Sequence, residues 1–270
     1  MVEMTKKYKI GTRRFGLINW VGAWTLYKKE VLRFLNVWIQ TIFSPLISSL
    51  LFLLVLSLAI GAERGEVLGV PFIIFLAPGL IAMQVIQQSF SHSSSSFMIG
   101  KIQGNIVDLL YAPLSATEVI ISVSLAAVTR SFMIAAISVL IFYLIIDIQI
   151  RHFFTLILFT FLSSFILGNI GIIAGLWAEK FDHMASVTNF VIVPLSFLSG
   201  TFYTIDRLPG FLRTISEANP FFYMIDGFRY SFIGNADGSI KIGIIYLVIL
   251  SFLSWLAAYI LFEKGYKIKS

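Results

Sequence analysis

Residues 153–177 read FFTLILFTFLSSFILGNIGIIAGLW, and no charged side chain interrupts them. As a helix rising about 1.5 Å per residue, the stretch is about 37 Å long, enough to cross a hydrocarbon core of about 30 Å. Similar stretches flank it: Ile39–Ile60, Pro71–Phe90 and Val119–Ile146 before it, Ala185–Ile205 and Ile242–Phe262 after it. Segments of about ten residues alternating in polarity, the mark of an outer-membrane barrel, are not seen. The pattern predicts an all-α polytopic membrane protein with six transmembrane helices.

Composition points the same way. The chain is 58% hydrophobic and 13% charged, with a mean hydropathy of +0.89, against about 45–50% and about 25% in soluble domains. These values exclude a water-soluble globule and intrinsic disorder. The chain has no cysteine, which removes disulfides, thiolate nucleophiles, iron–sulfur clusters and zinc–thiolate sites. Its net charge of +6 fits membrane orientation better than nucleic-acid binding. Lys6, Lys7, Lys9, Arg13, Arg14, Lys28, Lys29, Arg33, Lys101, Lys180, Lys264, Lys267 and Lys269 fall on one side of a six-span topology. Fewer basic residues fall on the other. By the positive-inside bias, both ends of the chain are expected in the cytoplasm.

The amino-terminal arm, residues 1–38, invites two readings. Arg13-Arg14-Phe15 ahead of an apolar stretch superficially resembles a twin-arginine leader, but Tyr27-Lys28-Lys29-Glu30 is a poor cleavage site. Periodicity favours the other reading. Leu17, Trp20, Val21, Trp24, Tyr27, Val31, Phe34 and Trp38 recur at three- and four-residue steps, with Lys29, Arg33 and Asn36 on another face. That predicts an amphipathic helix lying in the membrane interface against anionic lipid.

The 14 acidic residues all fall in loops, tails or span ends. Ion-coupled pumps place carboxylates or histidines within the bilayer as relays, so this chain offers little for such coupling. Arg130 is the clear intramembrane charge, about 18 Å along its helix from Glu118. An arginine there costs about 2.5–3.5 kcal/mol on insertion scales and must face protein or water. It is either a structural arginine satisfied by hydroxyls and carbonyls of a neighbouring helix, or a residue of the transport path near an anionic substrate or an external carboxylate. The Gly171–Gly175 pair permits close helix approach but marks a dimer only weakly. The serines at 89, 91 and 93–96 read as the hydrated end of the second span in preference to a cavity lining. His92, His152 and His183 lack metal-ligand spacing, and Gly100-Lys101-Ile102 is not a phosphate-binding loop.

Two non-spanning segments carry more information. Residues 98–118 contain Gly104-Asn105-Ile106-Val107-Asp108-Leu109-Leu110-Tyr111-Ala112-Pro113-Leu114-Ser115. A short helix there exposing Ile106, Leu109 and Leu110 would call for a partner protein to cover them. Residues 206–235 run from Asp206-Arg207-Leu208-Pro209 through Asn219-Pro220 to Arg229. They are too apolar for an exposed loop and too interrupted for a span, and predict short helices re-entering the membrane.

With Ser199-Gly200 ahead of Pro209, these features together resemble the type-2 permeases of ABC transporters, over nearly the whole chain. The resemblance implies a cytoplasmic-membrane exporter subunit in a prokaryote, without catalytic residues or bound cofactor. Its partners would be two copies of a separate ATPase carrying ATP and Mg, a second permease copy forming a homodimer, and membrane lipids, with no nucleic acid. Gly104, Asn105, Asp108, Leu109, Leu110, Pro113 and Leu114 would belong to the coupling helix that docks on the ATPase. Ser199, Gly200, Pro209, Pro220 and Arg229 would belong to the external gate. Residues 39–262 would form the transmembrane domain and 263–270 a cytoplasmic tail. The alternatives from other classes are a stand-alone secondary transporter or passive channel, and an intramembrane enzyme, for which no nucleophile or metal constellation stands at membrane depth.

Overall fold

Helix ends in this chain are set by prolines, caps and small residues. In the computed structural model, which describes residue 16 and residues 18–268, Asn19 caps the first helix by accepting a hydrogen bond from the Gly22 amide at 2.9 Å. That helix, α1, spans Trp20–Leu35. A wide π-helical turn at Ile39–Phe43 leads into α2, Ser44–Arg64, whose first turn holds Pro45. Proline lacks the amide needed to continue the ladder, so a widened turn beside it is the local solution. The same device recurs at a second place, where α7 (Phe181–Val187), a π-helical turn at Thr188–Ile192 and α8 (Val193–Leu198, with Pro194) follow one another.

Between these lie the long elements. A two-residue hairpin of β1 (Glu66–Val67) and β2 (Val70–Pro71) precedes α3, Phe72–Ile102. Then come α4 (Ile106–Tyr111), α5 (Ala116–Ile146) and α6 (Phe153–Trp177). After α8 the chain forms a short 3-10 turn at Ile205–Arg207, α9 (Gly210–Ala218), α10 (Pro220–Ile233) and α11 (Ile240–Glu263). Among the described residues six helical segments are long and apolar enough to cross a membrane: Ile39–Ala59, Phe72–Ile102, Ala116–Ile146, Phe153–Trp177, Phe181–Leu198 and Ile240–Glu263. The all-α polytopic architecture is thus as expected. The basic residues at positions 6–14, Leu17 and Lys269 lie outside the described residues.

Several boundaries depart from the sequence reading, span five beginning at Phe181 and not Ala185. Span two runs to Ile102, not Phe90, because the serine cluster is helical. Ser89, Ser93 and Ser94 are buried against α6 and α5, and are not a hydrated helix end. On α6, Gly171 and Gly175 are the reason: a Cβ at Gly171 would stand 2.6 Å from the Phe90 carbonyl oxygen, and one at Gly175 2.8 Å from that of Ser94. The glycine pair therefore docks two helices of one chain. Span five stops at Leu198, seven residues short of Ile205, because Gly200 turns the chain at φ +73°. The interfacial helix ends at Leu35, and Trp38 already leads into span one.

α3 is the centre of the bundle. Of the residues in its most apolar stretch 78% are buried, against 28%, 17% and 22% in spans one, five and six. The main core gathers α3, α6 and α10 around Phe75, Leu76, Phe90, Phe159 and Phe228. A smaller core joins Leu26 of α1 to Phe97, Ile106, Val119, Ile172 and Phe262. α1 is two-faced: Trp20, Val21 and Trp24 are exposed, while Leu26, Glu30 and Phe34 pack inward. This suits a helix lying in an interface on the rim of the bundle.

Candidate functional site

At one end of the bundle the 98–118 segment is built on a polar clasp. Ser115 caps α5 and forms a reciprocal capping box with Glu118. Glu118 is buried, and its two oxygens serve two elements. One accepts the Asn19 amide at 2.6 Å, the other the Ser115 amide at 2.8 Å. Asn19 Nδ2 donates to the Pro113 carbonyl at 3.2 Å, and Leu114 lies against Gly22. Farther along, Ser122 Oγ donates to the Ala23 carbonyl at 3.0 Å and the Tyr27 and Thr129 hydroxyls are 2.8 Å apart. The interfacial helix, the loop and the start of span three are thereby one mechanical unit. Lys101 Nζ reaches the α6 end, donating to the Leu176 and Ala178 carbonyls at 2.8 and 2.6 Å, so the unit is tied to span four as well.

Gly104 makes the turn into α4 at φ +76°, and Asn105 Nδ2 donates to Gln103 Oε1 at 3.1 Å. The structure divides the expected contact residues. Ile106 is buried, contrary to the expectation that it is exposed, and Leu109 and Leu114 are half-buried in the smaller core. Asp108 and Pro113 are exposed. Leu110 is exposed, and so are Val107 and Tyr111, the last at 86%. The outward edge of α4 is therefore Val107, Asp108, Leu110 and Tyr111. The sequence reading missed Asn19 and Glu118, although Ser115-Ala116-Thr117-Glu118 is a capping-box pattern visible in the sequence.

At the other end, span five is knotted to the helices after it. Asn219 caps α10 ahead of Pro220, and its Nδ2 donates to Ser199 Oγ at 2.7 Å and the Leu195 carbonyl at 3.0 Å. Ser216 Oγ donates to the Leu198 carbonyl at 2.9 Å. Arg229 is fully buried, donating to the Gly200 and Thr201 carbonyls at 2.7 and 3.2 Å, and its guanidinium stands 4.0 Å over the Phe75 ring of α3. Asp226 accepts the Asp237 and Gly238 amides at 2.9 Å each, and Asp237 accepts the Ile205 amide at 2.6 Å. Ser199, Gly200, Pro220 and Arg229 are thus brought together. Pro209 stands apart from this knot, at the exposed start of α9. Asn219, Asp226 and Asp237 are its unforeseen members, and Asn219-Pro220 was their one local signal.

Between the two ends lies a cavity of about 730 Å³, walled by α2, α3 and the end of α1. Its α3 wall runs from Leu80 to Ile99, about 28 Å at 1.5 Å per residue, close to the depth of a bilayer core. Gln84, Gln87, Gln88, Ser91 and Ser95 line this wall at helical spacing, and Gln40, Arg33 and Arg130 face them. Arg130 donates through Nη2 to Gln88 Oε1. Its partner is therefore a side-chain amide, not a hydroxyl, a backbone carbonyl or an external carboxylate. Arg33 pairs with Glu30 at 3.0 Å and donates to the His92 carbonyl at 2.9 Å. The glutamine–serine stripe was legible at three- and four-residue steps, but hydropathy averages conceal it. Among the described residues no cluster of histidines and carboxylates could hold a metal ion.

Comparison with known proteins places the chain in a family. The family model described as ABC-2 type transporter matches residues 22–233, from within α1 to the end of α10. The chain is 31% identical over 255 residues to the inner membrane transport permease YadH of Escherichia coli K12, covering 94% of this chain and 99% of that protein. It is 24% identical over 254 residues to nodulation protein J of Rhizobium leguminosarum bv. viciae, covering 89% and 93%. A third relative is nodulation protein J of Neorhizobium galegae, 23% identical over 248 residues.

Proposed function

Because the chain belongs to the ABC-2 type transporter family, we propose that it is the permease subunit of an ATP-driven exporter that works with a separate ATPase. It resides in the inner membrane, as the name of the Escherichia coli relative suggests. The end carrying Lys28, Lys29, Lys101, Lys180, Lys264 and Lys267 faces the cytoplasm. ATP and Mg are bound by the ATPase, in two copies, and two permease chains complete the path.

The observation that carries this reading is the exposed apolar edge of α4 seated on a buried polar clasp. Val107, Leu110 and Tyr111 offer a partner contact area, and Asp108 offers it a charge. A push on α4 reaches α1 and α5 through Glu118, and α6 through Lys101. At the far end the Arg229–Asn219 knot holds α8, α9 and α10 to α3. Closure of the ATPase pair would rock these rigid ends against each other, opening the cavity between α2 and α3 alternately to each side.

The test is association. Asp108→Lys and Leu110→Arg are expected to leave membrane insertion intact while abolishing ATPase co-purification. Normal co-purification of both variants refutes the coupling role of α4, and a chain that conducts solute alone in vesicles would make it a channel.

A further inference from the structure

The cavity between α2 and α3 has a one-sided chemistry. Among the described residues its charged lining is Arg33 and Arg130, with no acidic side chain. Arg33 is matched by Glu30 at 3.0 Å. Arg130, 6% exposed, makes no ion pair with any described carboxylate, and its Nε has no hydrogen-bond partner. The Gln87 Nε2 donor on the same cavity wall is likewise without a partner. Both of these atoms are enclosed by protein while the remainder of the two side chains lines the cavity, and a buried cation beside unused donors is unfavourable unless an acceptor arrives to meet it. Phe52, Leu80 and Met83 supply apolar wall in the same cavity.

We propose that the cavity binds an anionic amphiphile, its phosphate or carboxylate headgroup held by Arg130 and Gln87 and its apolar chain laid along Phe52, Leu80 and Met83. The inference rests on the transport reading, because it names the substrate class of the same path. Arg130 and the glutamines replace the water that an acidic headgroup loses on entering the membrane. A lipid-borne anion and a free one share this chemistry, and the apolar wall selects the former.

The experiment uses the full chain in nanodiscs of neutral phosphatidylcholine, titrated calorimetrically against empty discs. The probes are dodecyl phosphate, dodecyl maltoside and inorganic phosphate. Saturable binding of dodecyl phosphate is expected, weakened at least about tenfold in Arg130→Gln, the size of one charged hydrogen bond, and largely kept in Arg130→Lys. Equal binding by wild type and Arg130→Gln overturns the proposal. So does equal binding of dodecyl maltoside, or saturation by inorganic phosphate at the same concentration. If Arg130→Gln does not fold, Gln87→Leu carries the test: several-fold weaker binding is expected, and unchanged binding overturns it. No ATPase is present in the titration. Arg130-dependent binding without ATPase co-purification would therefore sustain this site while removing the exporter reading.

Discussion

Removing the Glu118 carboxylate tests whether α1, the coupling segment and span three act as one unit. Glu118→Ala deletes the acceptors for the Asn19 amide at 2.6 Å and the Ser115 amide at 2.8 Å. Hydrogen bonds to an ionised group contribute about 1.5–3 kcal/mol each. Only the first joins α1 to span three, the second being the local cap of α5, so about 1.5–3 kcal/mol of docking energy is lost. The helices themselves persist, since the apolar contact of Leu26 with the smaller core remains. The effect is local, so hydrogen exchange is the assay. Amides of α1 are expected to exchange about 30-fold faster, the equivalent of about 2 kcal/mol, with α6 and α10 unchanged. The ATPase should still bind the intact edge of α4, yet hydrolysis should no longer drive transport. Wild-type exchange across α1 in Glu118→Ala refutes the clasp as the mechanical link.

Three other outcomes follow from particular contacts. Gly171→Ala places a methyl group 2.6 Å from the Phe90 carbonyl oxygen and should cost about 1–3 kcal/mol by overpacking, read as a lower melting temperature in detergent; Gly171→Leu should not yield monodisperse protein. Arg229→Leu strips the Gly200 and Thr201 carbonyls of their donor; at about 1–3 kcal/mol for each orphaned carbonyl it should cost about 2–6 kcal/mol, with denaturant or thermal unfolding as the check. The exposed Lys267–Glu179 pair at 2.8 Å ties the chain after α11 to the loop before α7. The hydrogen bond from Lys267 and then that lysine's charge hold the Glu179 carboxyl below its ordinary range, and the same bond raises Lys267. The tie is thus present between those two limits, lost as pH falls through the lowered Glu179 value and lost again as pH rises through the raised Lys267 value. Spin labels flanking the pair should separate in acid and in high salt, and a distance indifferent to both contradicts the assignment.

How far the sequence could be read depends on whether the deciding partner is near or far. Span four was legible to its last residue because an uncharged run of that length admits one explanation. Span two was cut short at Phe90 because serines look hydrated until the glycines of α6, some 80 residues later in sequence, are seen to need small partners. Span five was overextended because hydropathy continues past Gly200 while the backbone does not. In the 98–118 segment the short helix was foreseen but its facing was not: only packing against α3 and the smaller core shows that Ile106 turns inward and Tyr111 outward. Glu118 joins Asn19 across 99 residues, and Arg130 meets Gln88 across 42. No local pattern foretells such pairings, although each half belonged to a readable motif.

The central claim is that the exposed edge of α4 is where an ATPase drives this chain. It is tested most directly by mild extraction of the tagged protein from its own membrane, followed by an ATP-hydrolysis assay on the purified material. The account predicts a soluble ATPase in equal amount with the permease, and loss of both partner and hydrolysis in Leu110→Arg. A chain that emerges alone and inert under several mild conditions, or a Leu110→Arg variant with full partner and full hydrolysis, would contradict it.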